Sequence, residues 1–429
     1  MSKLWQKKGK SPHTLVGKYT VGDDYIFDQK LMPFDIQGTK AHIKGLQKIG
    51  IFTKSELKKL LKELTNLKSK VKKDEIKVSI DDEDCHTVIE NYLTKKLGKL
   101  GQKIHTGRSR NDQVLTAIRL YMKSSLDEIK KLSTKLAKEF LKYAEKYQNI
   151  PLPGYTHTQQ AMLSSIGHYF CGFTESLIDD ISFLDKTYSH INKNPLGSAA
   201  GFGVPLALDR EFTTKELGFE STQINSLYCQ NSRGKFESVY TESLVQIMLT
   251  LGRFATDLLL FTSQEFNFFK VSDSLVTGSS IMPQKRNLDG MEILRGNTSV
   301  VIENHQLIQN LVKNLMSGYN RDLQLMKKPL FESTDMVIAS LQIVSLHLKG
   351  ITPNKKSIKE KITKEIFSAD IATEIAKKNK IPFRIAYQQA LKKTQKYKPD
   401  FQQNINSKIS LGAPGNLNLS YYKKLLHSK

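Results

Sequence analysis

Four segments of this chain bring together residue types that could do chemistry. His105-Thr106-Gly107-Arg108-Ser109-Arg110-Asn111-Asp112-Gln113 is a polar turn with two arginines, opening onto an apolar-periodic stretch near Val114. A guanidinium fork binds a carboxylate through two parallel hydrogen bonds, where lysine offers only a point charge. That choice is informative because the chain has 10 arginines against 55 lysines. Arg108, Arg110, Arg286, Arg295 and Arg321 all fall inside unusual segments. In Pro151-Leu152-Pro153-Gly154-Tyr155-Thr156-His157, two prolines and a glycine stiffen a loop expected to deliver Thr156 and His157 to a helix start. An imidazole there can give or take a proton near neutral pH, although a lone histidine is more often a satisfied structural residue.

The third segment is Thr277-Gly278-Ser279-Ser280-Ile281-Met282-Pro283-Gln284-Lys285-Arg286-Asn287. Its Gly-Ser-Ser reads as a mobile loop, Pro283 blocks helix continuation, and Lys285 and Arg286 set two cations near the serines. A hydroxyl is a very weak base unless cations, backbone donors or a partner stabilise its anion. Glu292 follows seven residues after Lys285, on a helix expected to begin around Leu288. The fourth segment runs from Tyr319 to Lys327, and on a helix its Gln324 and Lys327, three residues apart, would share a face. Capped loops, structural ion pairs and a basic surface are the plain alternatives for these segments taken singly.

The elements that must position these residues are legible as long helices. No proline lies between Pro33 and Pro151, nor between Pro205 and Pro283. Apolar residues recur in steps of three and four along Ile129, Leu132, Leu136, Phe140, Tyr143, Tyr147. The same spacing runs along Ile166, Phe170, Phe173, Leu177, Ile181, Leu184, Tyr188, Ile191 and along Leu244, Met248, Leu251, Ala255, Leu258. Such stripes predict bundled, nearly antiparallel helices, and no sustained alternation predicts a sheet. The expected fold is all-α. Three regions are expected: an N-terminal helical domain at 1–109, a central long-helix bundle at 110–351, and a small, very basic helical domain at 352–429.

Composition bounds the function class. With 429 residues, 39% hydrophobic and 25% charged, the chain is long and apolar enough for a substantial core. The net charge of +23 raises nucleic acid as a partner, but its lysines are spread along the chain and no basic–aromatic motif accompanies them. Cys85, Cys171 and Cys229 are odd in number and lack CxxC spacing, so they read as free thiols without a zinc site. Met1–Lys8 has no apolar leader core. The apolar run from Leu244 to Phe269 is broken by Arg253, Asp257 and Glu265, a poor membrane span. A cytoplasmic address is expected, with no membrane or nucleic-acid partner. Dinucleotide, P-loop and zinc-protease fingerprints are absent from the sequence.

Gly278-Ser279-Ser280-Ile281-Met282-Pro283-Gln284-Lys285-Arg286-Asn287 resembles the GSSxMPxKxN signature of the fumarase/aspartase superfamily. HTGRSRNDQ at 105–113, PGYTH at 153–157, NPLGS at 194–198, YNRDLQ at 319–324, GAPGNLNL at 412–419 and DEDCH at 82–86 resemble the argininosuccinate lyase family within it. The likeness implies a homotetramer of mostly helical subunits whose central helices form one bundle, with each active site assembled from three subunits. It implies a carbon–nitrogen lyase that splits argininosuccinate reversibly into arginine and fumarate, in arginine biosynthesis, without cofactor or metal.

By the same likeness, Ser279 matches the catalytic base, His157 the general acid, and Glu292 the carboxylate paired with that histidine. Lys285 and Asn287 match the groups that bind the succinyl carboxylates. Asn111, Thr156, Tyr319, Gln324 and Lys327 match further substrate contacts, with Arg110 beside Asn111. The sequence departs from the family pattern at Leu288, where proline is usual, through Thr158–Leu163, and at Asp24, which stands where the family has a substrate-touching serine. Another member of the superfamily, a catalytically silent relative and a nucleic-acid binder are the rival readings.

Overall fold

The computed structural model describes residues 13–427, and the Met1–Lys8 stretch lies outside them. Among the described residues, seven helices have 19 residues or more: α1 (Asp24–Lys48), α2 (Lys54–Lys72), α3 (Arg110–Tyr147), α4 (Ile166–Ile191), α5 (Lys235–Thr262), α6 (Asp289–Val312) and α7 (Lys327–Gly350). The described strands form three two-stranded sheets, so the fold is all-α with small β additions. The apolar stripes are the buried faces expected of them. Ile166, Phe170, Phe173, Leu177, Ile181, Leu184 and Ile191 are buried on α4, and Leu244, Met248, Leu251, Ala255 and Leu258 on α5. Segment Ser226–Thr262 is long and apolar enough to cross a membrane by composition, yet 61% of its most apolar window is buried, as in a core helix.

The chain divides into two compact units, with boundaries that fall inside the long helices. The first comprises Met1–Glu128, Leu184–Val245 and Val300–Asp335. In it, α2 starts with a capping box between Thr53 and Glu56 and buries Leu60, Leu64, Leu67 and Val71, one residue per turn. The helix Cys85–Leu97 is capped by Asp84, which accepts from the Thr87 amide at 2.8 Å. Tyr121 meets Phe331 edge-on at 4.5 Å. Arg119, fully buried, donates to Lys193 O (2.8 Å) and Ser232 Oγ (2.9 Å) and lies 3.8 Å from the Phe236 ring. It thereby pins the segment that enters α5.

The second unit comprises Ile129–Phe183, Gln246–Ser299 and Met336–Lys429. Phe140, Phe170, Phe173 and Phe254 form an aromatic core with centroids 5.0–6.1 Å apart. Leu163, Ile366, Phe367, Ile371, Ile375, Ala386, Ala390 and Ile405 form a separate buried cluster near the C-terminus.

One element differs from the sequence reading. Residues 151–165 form a β-hairpin, β1 (Pro151–Thr156) and β2 (Gln159–Ser165), where a loop leading to a helix start was expected. The two prolines sit at strand positions Pro151 and Pro153, and the register shifts between Pro153 and Tyr155. A bulge there lets a strand carry residues that otherwise punctuate loops.

Candidate active site

In the first unit, one polar cavity of about 130 Å³ is lined by Asp24, Glu83, Asp84, His86, Arg110, Asn111, Arg233, Tyr319, Arg321, Gln324 and Lys327, with Val21 and Val114. The expected site residues Asp24, Arg110, Asn111, Tyr319, Gln324 and Lys327 therefore converge, although they come from positions up to 303 residues apart. Lys327 begins α7 after a 3₁₀ turn over Arg321–Met326, and that turn sets Gln324 and Lys327 toward the same cavity. Its ammonium is buried and ion-paired with Asp24 Oδ2 at 2.8 Å and with Asp28. Burial alone would lower the Lys327 ammonium, but the two carboxylates outweigh it and raise it well above the usual lysine range. Burial pushes the Asp24 carboxyl up to about 6, with Lys327 pulling it back and Asp28 and Asp84 adding to the rise.

The remaining polar groups are largely committed to the protein. Arg110 donates to Asp84 Oδ2 at 2.9 Å and Thr87 Oγ1 at 3.1 Å, and lies 3.6 Å from Glu83. The Gln324 amide donates to Thr20 O and Val21 O at 3.1 and 3.2 Å, and Arg321 donates to Thr20 O at 2.9 Å. Behind the cavity, His86 Nδ1 lies 2.7 Å from Asp35 Oδ2, and Gln113 donates to both Asp35 oxygens. Burial would lower the His86 imidazole, but Asp35, Asp84 and Asp28 more than offset it and raise it. The counterpart holds for Asp35, which burial would raise but which His86, Arg108 and Gln113 bring below the usual carboxylate range.

Asp112, in the first turn of α3, accepts from the Ser109 amide at 3.0 Å and from the Gly197 and Ala199 amides at 2.9 Å. It ties the arginine-bearing turn to the Asn194–Ala199 segment.

The other expected residues lie in the second unit. His157 and Thr158 form the two-residue turn of the hairpin, with φ of 52° and 62°. Positive φ at both central positions is the pattern of a type I′ turn, costly for a β-branched residue. His157 and Thr156 are exposed. The hairpin is anchored through Gln160, which donates to Lys361 O at 2.7 Å and accepts from the Thr363 amide at 3.3 Å.

Ser279 sits in a loop closed by paired backbone hydrogen bonds between Thr277 and Asn287, of 2.9 and 3.0 Å. Ser279 Oγ accepts from the amides of Ile281 (3.3 Å) and Met282 (3.1 Å). Two amide donors aimed at a hydroxyl oxygen favour its anion. Arg286 is turned to the loop base, bonded to Asp273 and to Val271 O, whereas Lys285 is exposed. Lys285 and Asn287 line a second cavity, of about 610 Å³, with Phe269, Val271 and Gln284 among its walls. Glu292 is exposed in the first turn of α6. Ser279, His157, Thr156 and Glu292 line neither cavity.

Sequence reasoning passed over Arg233, Glu83 and His86 as individual site residues, and only the arginine scarcity that marked five other arginines could have flagged Arg233. Asp28, Cys85 and His86 are close enough to hold a metal ion, but Asp28 is taken by Lys327 and the Cys85 amide, and His86 by Asp35.

A family model described as lyase matches residues 13–302. The chain is 43% identical to argininosuccinate lyase of Thermotoga neapolitana over 391 residues, covering 91% of this chain and 98% of that one. It is 39% identical to argininosuccinate lyase of Sorangium cellulosum, covering 97% and 96%. In fold it matches a crystal structure of EDDS lyase in complex with formate with a TM-score of 0.81 at 20% identity, covering 98% and 91%. On this likeness along nearly its whole length, the chain belongs to the argininosuccinate lyase family of the fumarase/aspartase superfamily.

Proposed function

We propose that the chain cleaves argininosuccinate reversibly into arginine and fumarate by anti β-elimination, working in the cytoplasm as a homotetramer whose active sites are shared between subunits. The observation that carries the reaction is the 43% identity to an argininosuccinate lyase over 91% of the chain. In the assembly, region 110–351 supplies the common helical core, flanked by 1–109 and 352–429.

The proton to be removed sits on a carbon beside a carboxylate and is only weakly acidic, so the site must stabilise a doubly charged aci-carboxylate. Ser279 is the base, and its two amide donors lower the cost of its alkoxide. Lys285 and Asn287, on the same closed loop, hold the diacid and balance the charge that builds on it. His157, paired with Glu292 in the assembled site, protonates the departing guanidinium nitrogen directly or through a water. Thr156, Arg110, Asn111, Tyr319, Gln324, Lys327 and Asp24 bind and orient the substrate. The loop between Thr277 and Asn287 closes over it and excludes solvent.

The test is fumarate release from argininosuccinate, followed by ultraviolet absorbance beside a sizing measurement. Ser279→Ala is expected to keep substrate affinity and lose roughly 10²–10⁴-fold in turnover. Near wild-type turnover in that variant would overturn the base assignment.

A further inference from the structure

We propose that Lys408 and Gln160 are positioning residues for His157, holding the outer edge of the hairpin that carries it. The inference deepens the lyase reading and rests on His157 as the general acid.

A two-stranded hairpin is marginal by itself, and a tip with positive φ at two non-glycine residues persists only where its surroundings over-determine it. Those surroundings come from the same unit. On the β1 side, the Tyr155 ring lies 5.7 Å from that of Phe266. On the β2 side, Leu163 is 1% exposed and belongs to the buried cluster of Ile366, Phe367 and Ile405. Bonded and non-bonded pairs alternate along an antiparallel ladder. Ile166 donates to Ile150 O at 2.9 Å, so the Pro153–Leu163 pair, three places on, is non-bonded and the Leu163 carbonyl faces away from β1. The Lys408 ammonium donates to that carbonyl. Gln160, three residues nearer the tip, is held by Lys361 O and the Thr363 amide. One anchor would leave the hairpin a hinge; two on one edge fix the direction in which its tip points.

The GAPGNLNL segment sets Lys408. It folds back on the end of the helix Phe401–Ser407, where the Gly415 amide donates to Lys408 O at 3.1 Å and the Gly412 amide to Asn416 O at 2.9 Å. A Cβ on Gly415 would lie 2.6 Å from Ile405 O and 2.9 Å from Lys408 O, so only glycine allows the approach. Leu417, buried, packs against Gly167 at the start of α4, directly after β2, where a Cβ would lie 2.8 Å from its Cδ1. Asp370, 3.2 Å from Lys408 Nζ and accepting from Asn404 Nδ2 at 2.9 Å, balances the charge. The Lys408 side chain is 13% exposed, so its bond to Leu163 O is charge-assisted and largely shielded from water. A displaced tip moves the imidazole off the line of proton transfer, and about 1 Å of misplacement can cost about 10²-fold in rate.

Steady-state fumarate release, with thermal unfolding to show folding, is measured for Lys408→Met, His157→Asn and the double variant. Lys408→Met is expected to lower kcat about 10–100-fold with a smaller change in KM, because most of the proposed binding groups lie outside the hairpin. Lys408→Arg, which keeps the cation, should recover most of the loss. In the His157→Asn background, Lys408→Met should lower kcat by less than about twofold further, since the group it positions is gone. Gln160→Ala, which removes the other anchor without touching a charge, should give the same non-additivity and decides the matter if Lys408→Met fails to fold. Equal losses in both backgrounds, or an unchanged kcat in the folded single variants, would overturn the proposal. Near wild-type turnover in His157→Asn would overturn the acid assignment and the proposal with it, whereas no fumarate release from wild type would overturn the lyase reading.

Discussion

Burial would raise the Asp35 carboxyl, yet its neighbours reverse the sign, and the reversal makes a stability prediction. Asp35 is nearly fully buried against His86 and Gln113. Asp35→Asn leaves a buried imidazolium without its counterion, which is expected to cost roughly 3–5 kcal/mol, read as a lowered midpoint of chemical unfolding. The pH dependence follows from the two shifts. The folded value of His86 is raised, so its contribution is complete below 6.5 and is lost as pH rises through the raised value. The folded value of Asp35 is lowered, so its contribution is complete above 3.8 and is lost as pH falls through the lowered value. The advantage of wild type over Asp35→Asn should be greatest between 3.8 and 6.5 and shrink on either side.

Asp24 gives a second test at this scale. Its carboxyl, buried beside Lys327, Asp28 and Asp84, titrates near 6. Asp24 is among the proposed substrate contacts, so arginine affinity should change as pH passes through about 6, and Asp24→Asn should flatten that profile, read by calorimetric titration.

At the scale of elements, the hairpin that presents His157 stores backbone strain at its tip. Thr158 holds φ of 62°, a conformation that glycine adopts without penalty and a β-branched residue resists. Thr158→Gly should therefore raise the thermal midpoint, by the equivalent of about 1 kcal/mol, and Thr158→Val should not. A type I′ turn predicts this order, and the reverse order would mean that the turn is of another kind.

The hairpin is also where the sequence was hardest to read. The stripes of α3, α4 and α5 were legible because three- and four-residue steps recur over many turns and each step buries a side chain. Pro151, Pro153 and Gly154 are loop signals by type, and only the pairing of Leu152 with Ser164 and Tyr155 with Gln160 makes them strand residues. Of the six expected site residues that line one cavity, Arg110, Asn111, Tyr319, Gln324 and Lys327 lie in segments marked by scarce arginine and polar turns, whereas Asp24 was expected on the family likeness alone. Arg233, between a serine and a glycine ahead of an ordinary apolar helix, carries no local mark. Its place in the cavity arises from contacts between distant segments, which spacing along the chain does not encode.

For the whole molecule, the placement of the expected catalytic groups bears on assembly. Asp24 and Lys327 line a cavity of the first unit, while Ser279 stands on a closed loop of the second. If each active site draws these groups from different subunits, two inactive variants can restore each other. Ser279→Ala mixed with Lys327→Met would give tetramers in which some sites carry both substitutions and others carry neither. With equal, random mixing about a quarter of the sites carry neither, so roughly a quarter of wild-type turnover should return after the two proteins are dissociated and reassembled together. Sites drawn from single subunits would carry one lesion each, and the mixture would stay inactive. Recovery of fumarate release beside two silent parents, with sizing to show reassembly, is the expected result. A reassembled but silent mixture would place both groups in one subunit's site.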